Sequence, residues 1–316
     1  MKRMVFLLVS ALFASCAMAQ YPNKPIRLVL PLAAGSATDI IVRTLAQSVS
    51  ASIGQPIVVD NKAGANGAIS ATEVAKAAPD GYTLLIGTSS GLSSTPATRK
   101  NPPYDPVADF TPIADLGRYT LFFYINSNVP AKTFQEFIAY AKANPGKLAY
   151  GAASITTMVS FAQMNKFFGL DILYVPYKSG PQTVLDIIGG RLDAGWETPT
   201  TGLAYVKEGK LRALVTSLKS RSILLPEVPT IYESGMPQFE GVLWMGLFGP
   251  AKLPRAIVDR LNSEFLAAMK RPDVIAAMDK QAFAPTPSTP EQLGVLVKEQ
   301  IDAYGRLLRA AGIYPE

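Results

Sequence analysis

Two segments of small and hydroxyl-bearing residues are the first places where this sequence could bind a ligand. The first lies between a predicted strand and a predicted helix, where glycine and alanine let a ligand approach the backbone. Its candidate ligand-binding residues are Ala33, Ala34, Gly35, Ser36, Thr38 and Asp39. The unpaired N–H groups at the following helix N-terminus suit a carboxylate or a phosphate. Asp39 leaves an alternative open, because its side chain could instead cap the helix and neutralise that field.

A second segment of the same kind follows a later predicted strand. Its candidate residues are Gly151, Ala152, Ala153, Ser154, Thr156 and Thr157. Two such loops, one from each of two domains, would hold an anion from both sides of a cleft. An ordinary turn between a strand and a helix, without any ligand, explains the same residues equally well.

The motif Gly87-Thr88-Ser89-Ser90-Gly91 matches the Gly-x-Ser-x-Gly pattern of a hydrolase nucleophile after a strand. The chain contains no histidine, so Ser89 has no imidazole base for a catalytic triad. A Ser-Lys arrangement stays open as an alternative. We favour Ser89 and Ser90 as hydroxyl donors to an anion.

Trp196 and Glu197 stand at the end of a predicted strand, where open α/β sheets bind ligands. Glu197 could accept a bond from a ligand donor, but it would repel a carboxylate unless water or a proton intervened. Trp196 is either a core residue or a platform for a flat ligand.

Composition excludes several classes of site. Without histidine, and with Cys16 as the only cysteine, the chain lacks the usual ligands of structural zinc. We therefore expect neither a metal nor a cofactor. The net charge is +6, and removing Lys2 and Arg3 with the N-terminal segment leaves +4. This mild positive charge favours small anions and is too dispersed to predict nucleic-acid binding.

The first 19 residues resemble an export signal peptide. Lys2 and Arg3 precede an apolar run, and Ala17-Met18-Ala19 fits signal peptidase cleavage after Ala19. Cys16 raises lipoprotein anchoring as an alternative, although a lipobox usually has leucine where Phe13 stands. Either route places the mature chain outside the cytoplasmic membrane, and we expect it in the periplasm.

Short β-rich runs alternate with helical apolar spacing along the rest of the chain, which predicts α/β layers. A strand at 26–30 precedes a helix at 38–52, and a later helix at 133–144 has Thr133 as its expected cap. We predict two α/β domains: residues 20–123 with 245–316 form domain I, and 124–244 form domain II. The expected crossings between them are 122–126 and 242–248.

Several sequence blocks together resemble one known family. They are Tyr21-Pro22-x-Lys24-Pro25-Ile26, Pro31-x-Ala33-Ala34-Gly35-x-x-Thr38-Asp39, Val59-Asp60-Asn61-Lys62-x-Gly64-Ala65-Asn66-Gly67, Ala78-Pro79-Asp80-Gly81-Tyr82-Thr83-Leu84-Leu85, Tyr104-Asp105-Pro106-Val107-x-Asp109-Phe110, Val175-Pro176-Tyr177-Lys178 and Gly190-Arg191-Leu192-Asp193. In this order they resemble the substrate-binding proteins of tripartite tricarboxylate transporters, also called Bug receptors.

The resemblance implies a type II periplasmic binding protein fold, with two α/β domains around a ligand cleft that closes by hinge motion. It implies a monomeric receptor, not an enzyme, that delivers a carboxylate to membrane permease subunits. Such ligands include di- and tricarboxylates, amino acids and aromatic acids. The family holds one carboxylate by main-chain groups and waters from two loops, which correspond here to 33–38 and 151–157. A receptor for a membrane sensor kinase and a hydrolase using Ser89 stay open as alternatives.

Two departures from the family pattern concern the site. Gly35-Ser36 stands where the family usually has Gly-Gly, and Glu197 stands where it often has aspartate. Gly195-Trp196 before Glu197 is also unusual. We hypothesise that the longer Glu197 side chain and the Trp196 indole reshape the distal half of the pocket and favour an aromatic or otherwise flat carboxylate.

Overall fold

Two mixed β-sheets with flanking helices make up the fold. The computed structural model describes residues 21–310 and 313–315. The predicted signal peptide and Cys16 lie outside these residues. No helix in the described part is both long enough and apolar enough to span a bilayer.

The first sheet is built mainly from the beginning of the chain. Its elements are β1 (Ile26–Leu30), α1 (Ala37–Ile53), β2 (Ile57–Asn61), α2 (Ala68–Ala75), β3 (Thr83–Thr88) and β4 (Phe110–Tyr119). The parallel pairs β1–β2 and β1–β3 are joined by helices, as parallel strands require. Leu28, Val29 and Leu30 are all fully buried, because helices cover both faces of this strand.

The second sheet uses the middle of the chain. Its elements are β5 (Phe122–Asn126), α3 (Phe134–Ala143), β6 (Leu148–Ala152), α4 (Ile155–Phe168), β7 (Ile172–Pro176), α5 (Gly180–Ile188), β8 (Ala194–Glu197), α6 (Pro199–Lys207) and β9 (Leu211–Thr216). Thr133 caps α3 as predicted, accepting a bond from the Glu136 N–H. The strand order is β7-β6-β8-β5-β9.

The chain then returns to the first sheet. The last elements are β10 (Leu243–Pro250), α7 (Arg255–Ala268), α8 (Pro272–Lys280), β11 (Phe283–Ala284) and α9 (Pro290–Ala310). The long antiparallel strand β10 lies between β3 and β4, giving the order β11-β4-β10-β3-β1-β2. The predicted α/β fold class is confirmed.

The crossings between the sheets lie beside the segments that the sequence predicted, so that prediction was wrong. Residues 122–126 form β5, and Leu243 begins β10, because both runs are apolar enough to be buried as strands. The chain crosses at Thr120 and Leu121 and returns between Thr216 and Leu243.

Besides the two chain crossings, helix α9 also links the two sheets, because it packs against both. Leu293 and Val297 pack with the first sheet, whereas Tyr304 and Leu308 belong to the apolar core of the second sheet. The division into 20–123 with 245–316 and 124–244 stays a prediction, and it does not anticipate this packing.

Candidate ligand-binding site

A cavity of about 550 Å³ lies between the loops of the first sheet and the start of α6 beside the second sheet. Most of its lining follows the carboxyl ends of β1, β2 and β3, where open α/β sheets bind ligands. The first-sheet side consists of Pro31, Leu32, Ala33, Ser36, Ala37, Thr38, residues 63–67, Thr88, Ser89, Ser90, Tyr119, Leu243, Trp244 and Gln281. Thr198 and Thr200 line the cavity from the second-sheet side.

The first predicted loop brings a helix N-terminus to this cavity. Gly35 has a φ of 79°, and Ser36 then adopts an extended conformation as the N-cap of α1. The Ser36 hydroxyl accepts the Asp39 N–H at 3.3 Å. The first-turn N–H groups of Ala37 and Thr38 have no intrahelical acceptor, and both residues line the cavity. These two N–H groups are therefore well placed to bind an anion.

Asp39 does not line the cavity, and its side chain hydrogen-bonds to the backbone of the loop. Its carboxylate accepts the Gly35 N–H at 2.9 Å, a bond from Asn61 and an ion pair from Arg43. Burial raises the pKa of Asp39, but the bonds from Arg43, Asn61 and Gly35 outweigh burial and lower it below its usual value. Because Arg43 compensates this charge, Asp39 does not leave an unpaired negative charge beside the helix N-terminus.

The loop after β2 also lines the cavity, although its residues were not among the predicted site residues. Gly64, Ala65, Asn66 and Gly67 all have positive φ angles, so the backbone follows the cavity wall in left-handed conformations. The sequence does contain a sign of this loop. Gly64-Ala65-Asn66-Gly67 follows a strand, contains two glycines and has neither helical nor strand periodicity.

Gly67 permits a close approach between this loop and the loop after β3. A Cβ atom on Gly67 would lie 3.1 Å from the Gly91 Cα. We therefore expect Gly67→Ala to lower the free energy of unfolding about 1 kcal/mol more than Gly54→Ala does. Gly54 is a matched control, because its φ is 71° and its Cβ would meet no atom within 4 Å. Equal losses in chemical denaturation would contradict this role of the close approach.

Ser89 and Ser90 both line the cavity, and Ser89 is only 1% exposed. Near it, the Tyr304 hydroxyl lies 2.6 Å from the Thr156 Oγ1. Burial raises the pKa of Tyr304 to about 12, and the bonds to Thr156 and Ser89 lower it in part. The Thr156–Tyr304 pair joins α9 to α4, and no histidine stands beside Ser89 because the chain has none.

The structure does not bring the second predicted loop to the cavity. The Ser154 Oγ accepts the Thr157 N–H at 3.2 Å, while the Thr157 Oγ1 accepts the Ser154 N–H at 3.3 Å. This capping box uses the hydroxyls within the turn that begins α4. None of Gly151, Ala152, Ala153, Ser154, Thr156 and Thr157 lines the cavity. Here the alternative, an ordinary turn between strand and helix, describes the structure better.

Thr198 takes the place that the second loop was expected to have. It is the N-cap residue of α6, and Pro199 occupies the first helical position. Thr198 followed by proline after a strand predicts the start of a helix. The local sequence does not predict that Thr198 lines a cavity together with loops of the other sheet.

Trp196 lies in the core, so its predicted role as a ligand platform was wrong. Its ring is fully buried, with the Phe123 and Phe239 centroids each 5.3 Å away. The hypothesis of an aromatic ligand loses its basis, because the indole that suggested it does not reach the cavity.

Glu197 also lies outside the cavity lining, on the sheet face opposite Trp196. Burial raises the pKa of Glu197 to about 7, and bonds from the Thr183 side chain and the Thr198 N–H lower it in part. Gly180, the first residue of α5, leaves room for this carboxylate. Within the described residues the Glu197 Oε1 has no hydrogen-bond partner, so Glu197 is a buried carboxyl group outside the cavity lining.

The cavity is polar without being charged. None of its lining residues is a lysine, arginine, aspartate or glutamate. Within residues 21–310 and 313–315, no three histidine, cysteine, aspartate or glutamate side chains cluster as metal ligands. An anion in this cavity would be held by hydroxyls and backbone N–H groups.

A family profile decides the relationship of this chain to known proteins. The profile described as "Tripartite tricarboxylate transporter family receptor" matches residues 41–313. The chain belongs to this family. The protein BugT of Bordetella pertussis is 31% identical over 317 residues, covering 98% of this chain and 95% of BugT.

Solved structures of related receptors have the same fold. The periplasmic binding protein BugD has a TM-score of 0.75 at 31% identity, covering 94% of this chain and 100% of BugD. An adipate-bound R. palustris protein has a TM-score of 0.79 at 28% identity, covering 94% of this chain and 100% of that protein. MatC from Rhodopseudomonas palustris with bound malate has a TM-score of 0.73 at 29% identity, covering 91% of this chain and 100% of MatC. The predicted type II periplasmic binding protein fold is confirmed, and the chain is a solute-binding receptor of the tripartite tricarboxylate family.

Proposed function

We propose that this receptor captures a small carboxylate in the periplasm and delivers it to the membrane subunits of a tripartite tricarboxylate-type transporter. The observation that carries the proposal is the N-terminus of α1, where the N–H groups of Ala37 and Thr38 meet a cavity without acidic or basic side chains. A carboxylate in that place would meet hydrogen-bond donors and no opposing negative charge.

The size of the cavity agrees with this ligand class. Its volume of about 550 Å³ is within the range of small-molecule sites. Two related receptors carry adipate and malate, which are both dicarboxylates. The family membership supports transporter subunits as the partner. The signal peptide predicted at residues 1–19 supports the periplasm as the location of the receptor.

A thermal-shift screen tests the carboxylate ligand directly. The library contains aliphatic dicarboxylates of four to six carbons, malate, citrate and benzoate, each beside its uncharged amide. We expect at least one acid to raise the melting temperature in a concentration-dependent way while its amide does not. A ligand at 100 times its dissociation constant stabilises the folded state by about 2.7 kcal/mol. Acids that give no shift, or amides that give the same shift, would overturn the proposal.

A further inference from the structure

Two surface pockets outside the ligand cavity adjoin each other along helix α4. Their volumes are about 480 and 600 Å³, and Met158 and Ile313 line both of them, so they form one elongated groove. We call it the α4 groove. Residues 98–101 and Tyr314 line one end, and Lys166 and Tyr174 line the other.

The floor of the α4 groove is apolar. Met158 is 8% exposed, Leu308 is buried, and Ile313 is half-buried beside them. Two tyrosines stand at the rim, where Tyr314 is 66% and Tyr174 is 43% exposed. A concave apolar surface with aromatic residues at its edge is typical of a site that contacts another protein.

The ends of the groove are positively charged. Arg99 and Lys100 lie at one end and Lys166 at the other, and all three are exposed. Among the residues that the structure describes, none of the three takes part in an ion pair. Neither pocket is lined by an aspartate or a glutamate. The charge of the groove therefore complements an acidic partner.

Both halves of the molecule contribute to the α4 groove. Residues 98–101 belong to the segment between β3 and β4 of the first sheet, whereas α4 packs against the second sheet. A change in the angle between the sheets would therefore change the width of the groove. A partner that fits the groove would bind one such angle better than another.

We propose that the α4 groove is a docking site for an acidic segment with apolar side chains, carried by a membrane subunit of the transporter. This inference rests on the proposed delivery function and adds the surface and the chemistry of the contact. Acidic side chains of the segment would meet Arg99, Lys100 and Lys166, while its apolar side chains would cover the floor around Met158. A flat lipid surface would meet the exposed rim and leave this floor uncovered.

Charge reversal at one end of the groove tests the proposal. Arg99→Glu with Lys100→Glu is the groove variant. Lys142→Glu with Lys147→Glu is the matched control, because both lysines are exposed, lie outside both pockets and have no ion pair among the described residues. Each receptor, loaded with its best acid, is titrated onto the transporter's membrane subunits in nanodiscs that contain phosphatidylglycerol. Empty nanodiscs of the same lipids, acid binding by calorimetry and thermal unfolding are measured in parallel.

We expect the groove variant to bind the membrane subunits about tenfold more weakly than wild type, and the control within about threefold. The affinity of both variants for the acid should stay within twofold of wild type. Salt screens exposed charges, so raising NaCl from about 50 to about 300 mM should weaken wild-type docking more than docking of the groove variant. Arg99→Gln with Lys100→Gln should give an intermediate loss, and it decides the question if the glutamate variant does not fold.

The apolar part of the contact has a separate test in Tyr314→Ser. Because Tyr314 is largely exposed, its replacement should change the free energy of unfolding little. We expect about fivefold weaker docking, since aromatic residues contribute strongly to protein contacts. Unchanged docking of this variant would show that the groove itself is not occupied.

The outcomes separate this inference from the function on which it rests. Equal docking of wild type and groove variant, or equal losses in groove variant and control, would overturn the inference while acid binding stands. Wild-type binding to empty nanodiscs as strong as to the subunits would also overturn it, in favour of a lipid surface. If the acid-loaded wild type does not associate with the subunits at all, the proposed delivery fails, and if no acid binds in the calorimeter, the proposed carboxylate capture fails.

Discussion

Replacing Ala37 by proline is expected to weaken carboxylate binding roughly 10- to 100-fold while the protein still folds. Ala37 is the first residue of α1, and proline removes the N–H of that residue. Proline is well tolerated at the first helical position, where that N–H has no intrahelical acceptor. Ser36, with φ −66° and ψ 160°, already has the extended conformation that precedes proline. A bond from an N–H to a carboxylate contributes about 1.5–3 kcal/mol, which corresponds to this loss of affinity.

Ala37→Gly is the matched control for this prediction, because it changes the same side chain and keeps the N–H. It should bind the best acid within about threefold of wild type, with a modest loss of stability from the lower helix propensity of glycine. Thermal unfolding of both variants checks that the fold is intact. Wild-type affinity in a folded Ala37→Pro protein would show that this helix N-terminus does not hold the carboxylate.

Replacing Glu197 by glutamine is expected to remove a pH dependence of stability that the wild type shows between about pH 4.5 and 7. The pKa of Glu197 is raised from 4.5 to about 7 in the folded protein, mainly by burial. The folded state therefore binds the proton more tightly than the unfolded chain. The stability from this group is complete below pH 4.5 and is lost as the pH rises through 7. At about 1.4 kcal/mol per pKa unit, the loss amounts to as much as about 3 kcal/mol.

Urea denaturation of the ligand-free protein at a series of pH values measures this effect. Glu197→Gln carries no ionisable group at this site, so its stability should stay nearly level over the same range and exceed that of the wild type at pH 8. Glu299→Gln is the control, since Glu299 is exposed on α9. A wild type and a Glu197→Gln variant with parallel pH profiles would contradict the assignment of a buried, protonated Glu197.

The first loop of the site could be predicted because its determinants are local. Gly35 and Ser36 stand between a strand and a helix, and residues of these types end one element and cap the next wherever they occur in that order. The role of Asp39 could not be decided in this way. Its partners, Arg43 and Asn61, are brought to it by a helical turn and by the neighbouring strand β2.

The second half of the site could not be predicted, because it depends on how the two sheets face each other. The loop at 151–157 has the same local pattern as the first, yet the cavity is completed by Thr198 and Thr200. Trp196 and Trp244 illustrate the same limit. Each is a buried tryptophan on a strand, and only the position of the strand in its sheet decides which one reaches the cavity.

Two long strands were missed for a related reason. β4 contains Pro112 and Gly117, and β10 contains Gly246 and Gly249, which are residue types that weaken a strand assignment. Their antiparallel pairing includes two register shifts, which accommodate these residues at irregular positions. Pairing between segments over 120 residues apart overrides the local preference.

A crystal structure of the receptor with its tightest-binding acid is the most direct test of the central claim that the cavity is a carboxylate site. We expect one ligand carboxylate to lie roughly 3 Å from the backbone nitrogen of Ala37 or Thr38. Thr198 or Thr200 should face the ligand from the other side. A carboxylate bound instead at residues 151–157, or held by a lysine or arginine away from α1, would contradict the claim.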